Sequence, residues 1–267
     1  MSLALLEYEF RLGRRSIIGW GIIVVLWVAL TAWYWSILEE STLEELQRLL
    51  EQSPEWFVRF FAKGTPLALT YTVFYIFDYY VLVYVILLGA YAAYAGAGAV
   101  VDDVLGRTGG LTLATPIGRT RVMLARLATL TLIITMITLV SLTTSIALQL
   151  TLVGGGELGW LLKLHTIGIP YLVACTTLGL LVGSALPASI AKQVAAGLIL
   201  AMYTIETATK GTGAEGLSLL TITHYYPALE IAVNNTTPVT SIVTLVAITA
   251  ILIAISATIY NRKDLPV

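Results

Sequence analysis

Val101 to Arg126 reads VDDVLGRTGGLTLATPIGRTRVMLAR, and this stretch separates two long apolar runs. It carries Arg107, Arg119, Arg121 and Arg126, and the acidic pair Asp102 and Asp103. An Arg or Asp at the centre of a bilayer costs roughly 2.5–3.5 kcal/mol, so the stretch cannot lie within one. It reads instead as a short cytoplasmic helix, a turn at Pro116-Ile117-Gly118-Arg119, and a helix start.

The composition around it agrees. The 267 residues are 58% hydrophobic and 12% charged, with mean hydropathy +0.87. Soluble domains average about 25% charged residues, so the chain is expected to be an all-α integral membrane protein forming one membrane domain. The net charge of −1 and the lack of a basic stripe give no footprint for nucleic acid. The single cysteine, Cys175, excludes a disulfide within the chain and lies in an apolar run.

Working outward, six spans are expected: 17–38, 67–101, 122–153, 164–186, 188–209 and 238–260. Residues 1–16 place Leu3, Leu6 and Phe10 on one helical face and Glu7, Arg11 and Arg14 on another. That pattern predicts an interfacial elbow helix, too charged for a typical signal peptide. Residues 39–66 form an acidic connection in which Ser41 and Glu44 fit a capping box. The 102–121 segment is the cytoplasmic loop, and 210–237 a second outer connection. Gly89-Ala-Tyr-Ala-Ala-Tyr-Ala-Gly-Ala-Gly-Ala99 and Gly179-x-x-x-Gly183 are small-residue faces suited to close helix packing. Tyr225-Tyr226-Pro227 suits an interfacial anchor, and Lys192 can snorkel from the fifth span.

An even number of spans puts both termini on one side. That side holds ten Lys and Arg residues against five on the other. The positive-inside rule therefore places both termini in the cytoplasm, giving a multi-pass protein of the plasma membrane.

Chemistry is sparse. No GxxxxGK[ST] phosphate loop or HExxH is present. Gly211-Thr-Gly-Ala-Glu-Gly216 matches GxGxxG by letter but follows an apolar helix, without the βαβ context that dinucleotide binding needs. His165 and His224 are poor material for a metal site. Asp78 and Glu206 are acidic residues near the outer ends of spans. They are candidates for polar groups on a transport route, or for ordinary pairing within the bundle. With His165 and His224 they would also serve a membrane-embedded enzyme. An ATP-independent channel or scaffold is the other alternative, although no repeated ring of polar residues supports it.

The opening stretch also resembles the permeases of ABC-2 type transporters. The matching positions are Asp102 or Asp103, Gly106, Arg107, Leu113, Pro116, Ile117 and Arg119; Asp replaces the usual Glu, and Gly118 stands where Ser is common. The elbow, the Tyr225–Pro227 segment and the ending Tyr260-Asn-Arg-Lys-Asp-Leu265 are similar to further family features. The resemblance implies a coupling helix docking on a separate ATPase subunit, which would hold ATP and Mg. It implies no cofactor or catalytic residue in this chain, and a second permease copy or a similar permease beside it. Export is the expected direction. Arg119 and Arg121 suit either a partner carboxylate or lipid phosphates.

Overall fold

The computed structural model describes residues 3–53, 69–105 and 118–262. Among them every regular element is helical. α1 is Leu3–Ser36 and α2 Glu40–Glu51; α3 runs over 71–105; α4 is Arg119–Leu148, continued by a π-turn at Gln149–Val153. α5 is Gly159–Ala185 and α6 Ala188–Thr209, followed by two 3-10 turns, α7 at Ala228–Asn234 and α8 at Val239–Arg262. Six of these helices are long and apolar enough to cross a membrane.

Several boundaries move against expectation. The amphipathic start and the first span are one helix, because nothing between Gly13 and Ile17 breaks the i→i+4 bonding. α2 begins before Ser41: the amides of Thr42 and Leu43 bond back to the Glu39 carbonyl. Glu39 therefore occupies the N-cap position that the capping box assigned to Ser41. A second acidic helix beginning at Pro54 lies outside the described residues.

α5 is the axis of the bundle. In its most apolar window 72% of residues are buried, against 11% for α8. α3 packs on α5 with their backbones almost touching. A Cβ added at Gly179 would meet the Ala93 carbonyl oxygen at 1.8 Å, and one at Gly96 would meet that of Thr176 at 2.0 Å. Both small-residue stretches thus face each other within the chain. With no hydrophobic drive between helices in lipid, such close van der Waals approach is a main source of cohesion.

α3 changes winding along its length. Tyr71–Tyr75 is α-helical, Ile76–Leu88 is a π-helix, and Gly89–Leu105 is α-helical again. The sequence supplies a reason. On an α-helix the step from Tyr75 to Tyr84 is about two and a half turns, which would set the two side chains on opposite faces. With i→i+5 bonding, roughly 4.4 residues per turn, the same step is close to two full turns. Tyr75, Tyr79, Tyr80 and Tyr84 then share one broad face and all four are buried.

Candidate functional site

Among the described residues, two sets of polar contacts between helices stand out: a buried hydroxyl network in the half of the bundle where α3 and α5 begin, and a charged cluster where α3 and α4 flank the 102–121 segment.

The network follows from the π-winding. Tyr75, Tyr79 and Tyr84 bond Ser145, Ser141 and Thr138 of α4, each at 2.7 Å. Ser145, Ser141 and Thr138 recur at helical spacing on one face of α4, so the two antiparallel helices are laced together. His165 of α5 completes the set: Nε2 lies 2.8 Å from Ser141 Oγ and Nδ1 2.9 Å from the Leu161 carbonyl. A carbonyl only accepts, so Nδ1 carries the hydrogen; in the neutral ring Nε2 accepts from Ser141, and Tyr79 donates to Ser141. Ser145 donates to the Ser141 carbonyl at 2.7 Å, which leaves Tyr75 donating to Ser145.

Tyr226 closes the network from the 210–237 connection. It is 1% exposed, stacks on Tyr171 at 4.9 Å, donates to the Leu164 carbonyl at 2.6 Å and meets the Tyr80 hydroxyl at 2.6 Å. The Tyr80 hydroxyl also lies 3.1 Å from the Leu164 carbonyl; with Tyr226 donating to that carbonyl, the single Tyr80 proton is shared between the carbonyl and the shorter contact to Tyr226. Tyr226 of the expected interfacial anchor is therefore buried between the 3-10 turn at Thr223–Tyr225 and α7, where the Leu164 carbonyl satisfies its hydroxyl.

The acidic candidates fall in different surroundings. Asp78 lies inside the span, in the π-segment. Its Oδ2 accepts from the Thr31 hydroxyl at 2.6 Å, and its carbonyl accepts from the Trp27 indole at 3.0 Å. It thus fastens α1 to α3. Glu206 is 2% exposed and lies near Tyr171 and Tyr203. His224 packs edge-on against Tyr225 at 5.1 Å. Among the described residues no group of three or more His, Cys, Asp or Glu is placed to hold a metal ion.

At the other region, Asp102 sits in the last turns of α3 and Arg119 opens α4. Lys192 of α6 donates to Asp102 at 2.8 Å and lies 4.4 Å from the Tyr94 ring centre. Arg126 donates to the Ala99 carbonyl at 2.9 Å. Asn261 near the end of α8 bonds Thr120 of α4 at 2.9 Å. A cavity of about 330 Å³ opens among Ser16, Tyr91, Tyr94, Asp102, Arg126 and Lys192. Of the expected coupling positions, Asp102 and Arg119 are at helix ends. Gly106, Arg107, Leu113, Pro116 and Ile117 lie outside the described residues, as does the Asp103 side chain.

Sequence reading missed the tyrosine network. Its signal was present in the run of Tyr71, Tyr75, Tyr79/Tyr80 and Tyr84: each four-residue step suits an α-helix, but over the whole run the positions leave one α-helical face and stay on one π-helical face.

Six long apolar helices with α5 at their centre, and a charged cluster at one bundle end, define a multi-pass integral membrane protein. The chain belongs to the ABC-2 family of transporter proteins: the model of that family matches residues 3–265, nearly the full length. Proteins of this family generally work with ABC ATPase partners. The chain matches no curated protein.

Proposed function

We propose that this chain is the membrane-spanning permease subunit of an ATP-driven exporter, powered by separate ATPase subunits that dock on the 102–121 segment. The family match over residues 3–265 carries the reading. The sequence carries no nucleotide-binding loop of the GxxxxGK[ST] type, so in this reading ATP and Mg belong to the partner. Two permease copies, or this chain with a similar one, sit above the ATPase pair in the plasma membrane. Both termini face the cytoplasm in this reading, which the basic-residue bias supports.

The bundle end supports a mechanical role for that segment. α3 leads into it and α4 leads out. The Asp102–Lys192 pair ties α3 to α6, and Arg126 ties α4 back to α3. A push on the segment would thus move three spans together. In this reading Asp103, Gly106, Arg107, Leu113, Pro116, Ile117 and Arg119 meet the ATPase, while Asp78 and Glu206 are polar groups on the transport route.

The test is a pull-down from mild detergent, comparing wild type with an Asp103→Arg, Arg119→Glu double variant that elutes as a folded protein. Capture of a separate ATPase by wild type and its loss in the variant is the expected result. Absence of any ATPase from correctly inserted wild type would end the coupling reading.

A further inference from the structure

The π-wound part of α3, Ile76–Leu88, is 13 residues long, whereas π segments are mostly single turns and often mark functional sites. What holds it wide lies on other helices. Tyr75, Tyr79 and Tyr84 bond three hydroxyls of α4. Two further side chains donate to carbonyls of the segment itself, Trp27 to Asp78 at 3.0 Å and Tyr171 to Val85 at 3.0 Å. A side chain inserted into the backbone ladder is a known cause of helix distortion. Winding held from outside changes when an outside contact is released.

Such a change acts on Gly89–Leu105. An α-helix turns about 100° per residue and a π-helix about 82°. Each residue that passes from π to α winding therefore turns everything after it forward by about 18°. Two residues give about 36°, close to the ~40° between the angular places of residues i and i+4.

The sequence after the π segment tolerates that turn. From Gly89 to Ala99 every residue except Tyr91 and Tyr94 is Gly or Ala. One close-packed face needs small residues only at every third or fourth position; here they run nearly all round the helix. The turn brings Ala92 to the angular place of Gly96, and Ala93 to that of Ala97, so α5 meets Gly or Ala in either setting. Tyr91 and Tyr94 line the cavity of about 330 Å³ and stay on its side through the turn.

We propose that the π segment is a rotary joint: its end at Leu88 moves by about two residues and turns Gly89–Leu105 against α5. Asp102 turns with it. That this motion drives the 102–121 segment rests on the function proposed above; the turning itself does not.

Thiol labelling of the purified full-length chain in lipid nanodiscs, without any ATPase, tests it. Val101 is 1% exposed and a forward turn carries it toward the open side that Tyr94 occupies. Ala99 is half-buried and moves toward the packed side of Ala92. Val101→Cys and Ala99→Cys are each labelled with N-ethylmaleimide, with and without Thr138→Val, which removes the Tyr84 bond nearest the joint's end. Native Cys175, buried on α5, is the internal control. In the Thr138→Val background the Val101→Cys thiol should react severalfold faster and the Ala99→Cys thiol severalfold slower, with Cys175 unmodified. Any other pattern overturns the proposal: unchanged rates mean a fixed winding, and rates that rise together, or with Cys175, mean loosening without rotation. Should Thr138→Val misfold, Tyr84→Phe removes the same bond from the other helix and is read in the same way.

Discussion

The Lys192 ammonium lies 2.8 Å from the Asp102 carboxylate, across 90 positions of sequence, at the point where α3 enters the 102–121 segment. The Asp102 side chain is 57% exposed and that of Lys192 18%. Solvent screening limits the contribution of such a pair to at most about 1 kcal/mol. Its importance is positional: it fixes α6 to the helix end that any push on the segment would move.

Reversing one charge should therefore disturb coupling more than stability. Asp102→Lys is expected to shift detergent unfolding by no more than about 1–2 kcal/mol while lowering transport-linked ATP hydrolysis severalfold. The double exchange Asp102→Lys, Lys192→Asp should restore much of it, a compensation expected of directly interacting residues. ATPase assays on reconstituted complexes measure this; failure of the double exchange to improve on the single would argue against the contact.

Gly179→Ala places a methyl group 1.8 Å from the Ala93 carbonyl oxygen. α3 and α5 must separate to admit it. Overpacking of this kind typically costs 1–3 kcal/mol, and the central position of α5 puts the effect at the upper end, about 3 kcal/mol. Gly197→Ala, where nothing lies within 4 Å, is expected to be neutral or slightly stabilising, since Ala favours a helix by about 1 kcal/mol over Gly. Unfolding midpoints of the two variants, measured side by side, check the contrast.

Ser141→Ala removes the shared partner of Tyr79 and His165, whereas Tyr79→Phe removes one bond and leaves Ser141 donating to the ring. Ser141→Ala should cost more. Interhelical hydrogen bonds in a membrane bundle average about 0.6 kcal/mol and reach about 1.7, so a Tyr79/Ser141 double-mutant cycle should return a coupling energy in that range. A value indistinguishable from zero would mean that the hydroxyl contact contributes no net stability.

Orientation is open to labelling. Glu157 and Arg121 are both exposed and belong to opposite ends of α4 and its following loop, while the native Cys175 is buried. A membrane-impermeant maleimide should modify Glu157→Cys on intact cells and Arg121→Cys only after permeabilisation. The reverse pattern would invert the proposed topology.

The primary structure determined the solvent, the number of spans and the close-packed faces. Long runs without charge can be satisfied only as helices in a bilayer, because every backbone amide must find its partner within its own segment. Gly89–Ala99 and Gly179xxxGly183 advertised close approach through the absence of side chains. These are local properties, and local properties survive in a one-dimensional string.

The tertiary structure decided how the polar groups are used. Nothing near Asp78 in sequence announces Thr31, and nothing near Tyr226 announces Tyr80 or the Leu164 carbonyl. These partners meet because α1, α4 and α5 each bring one face to α3. The π-winding belongs to the same class: α-helical bonding would be satisfied locally, and it is the pairing of Tyr75, Tyr79 and Tyr84 with three hydroxyls on a neighbouring helix that favours the wider turn. Buried polar groups carry their cost wherever they are, but their relief depends on what another segment places beside them.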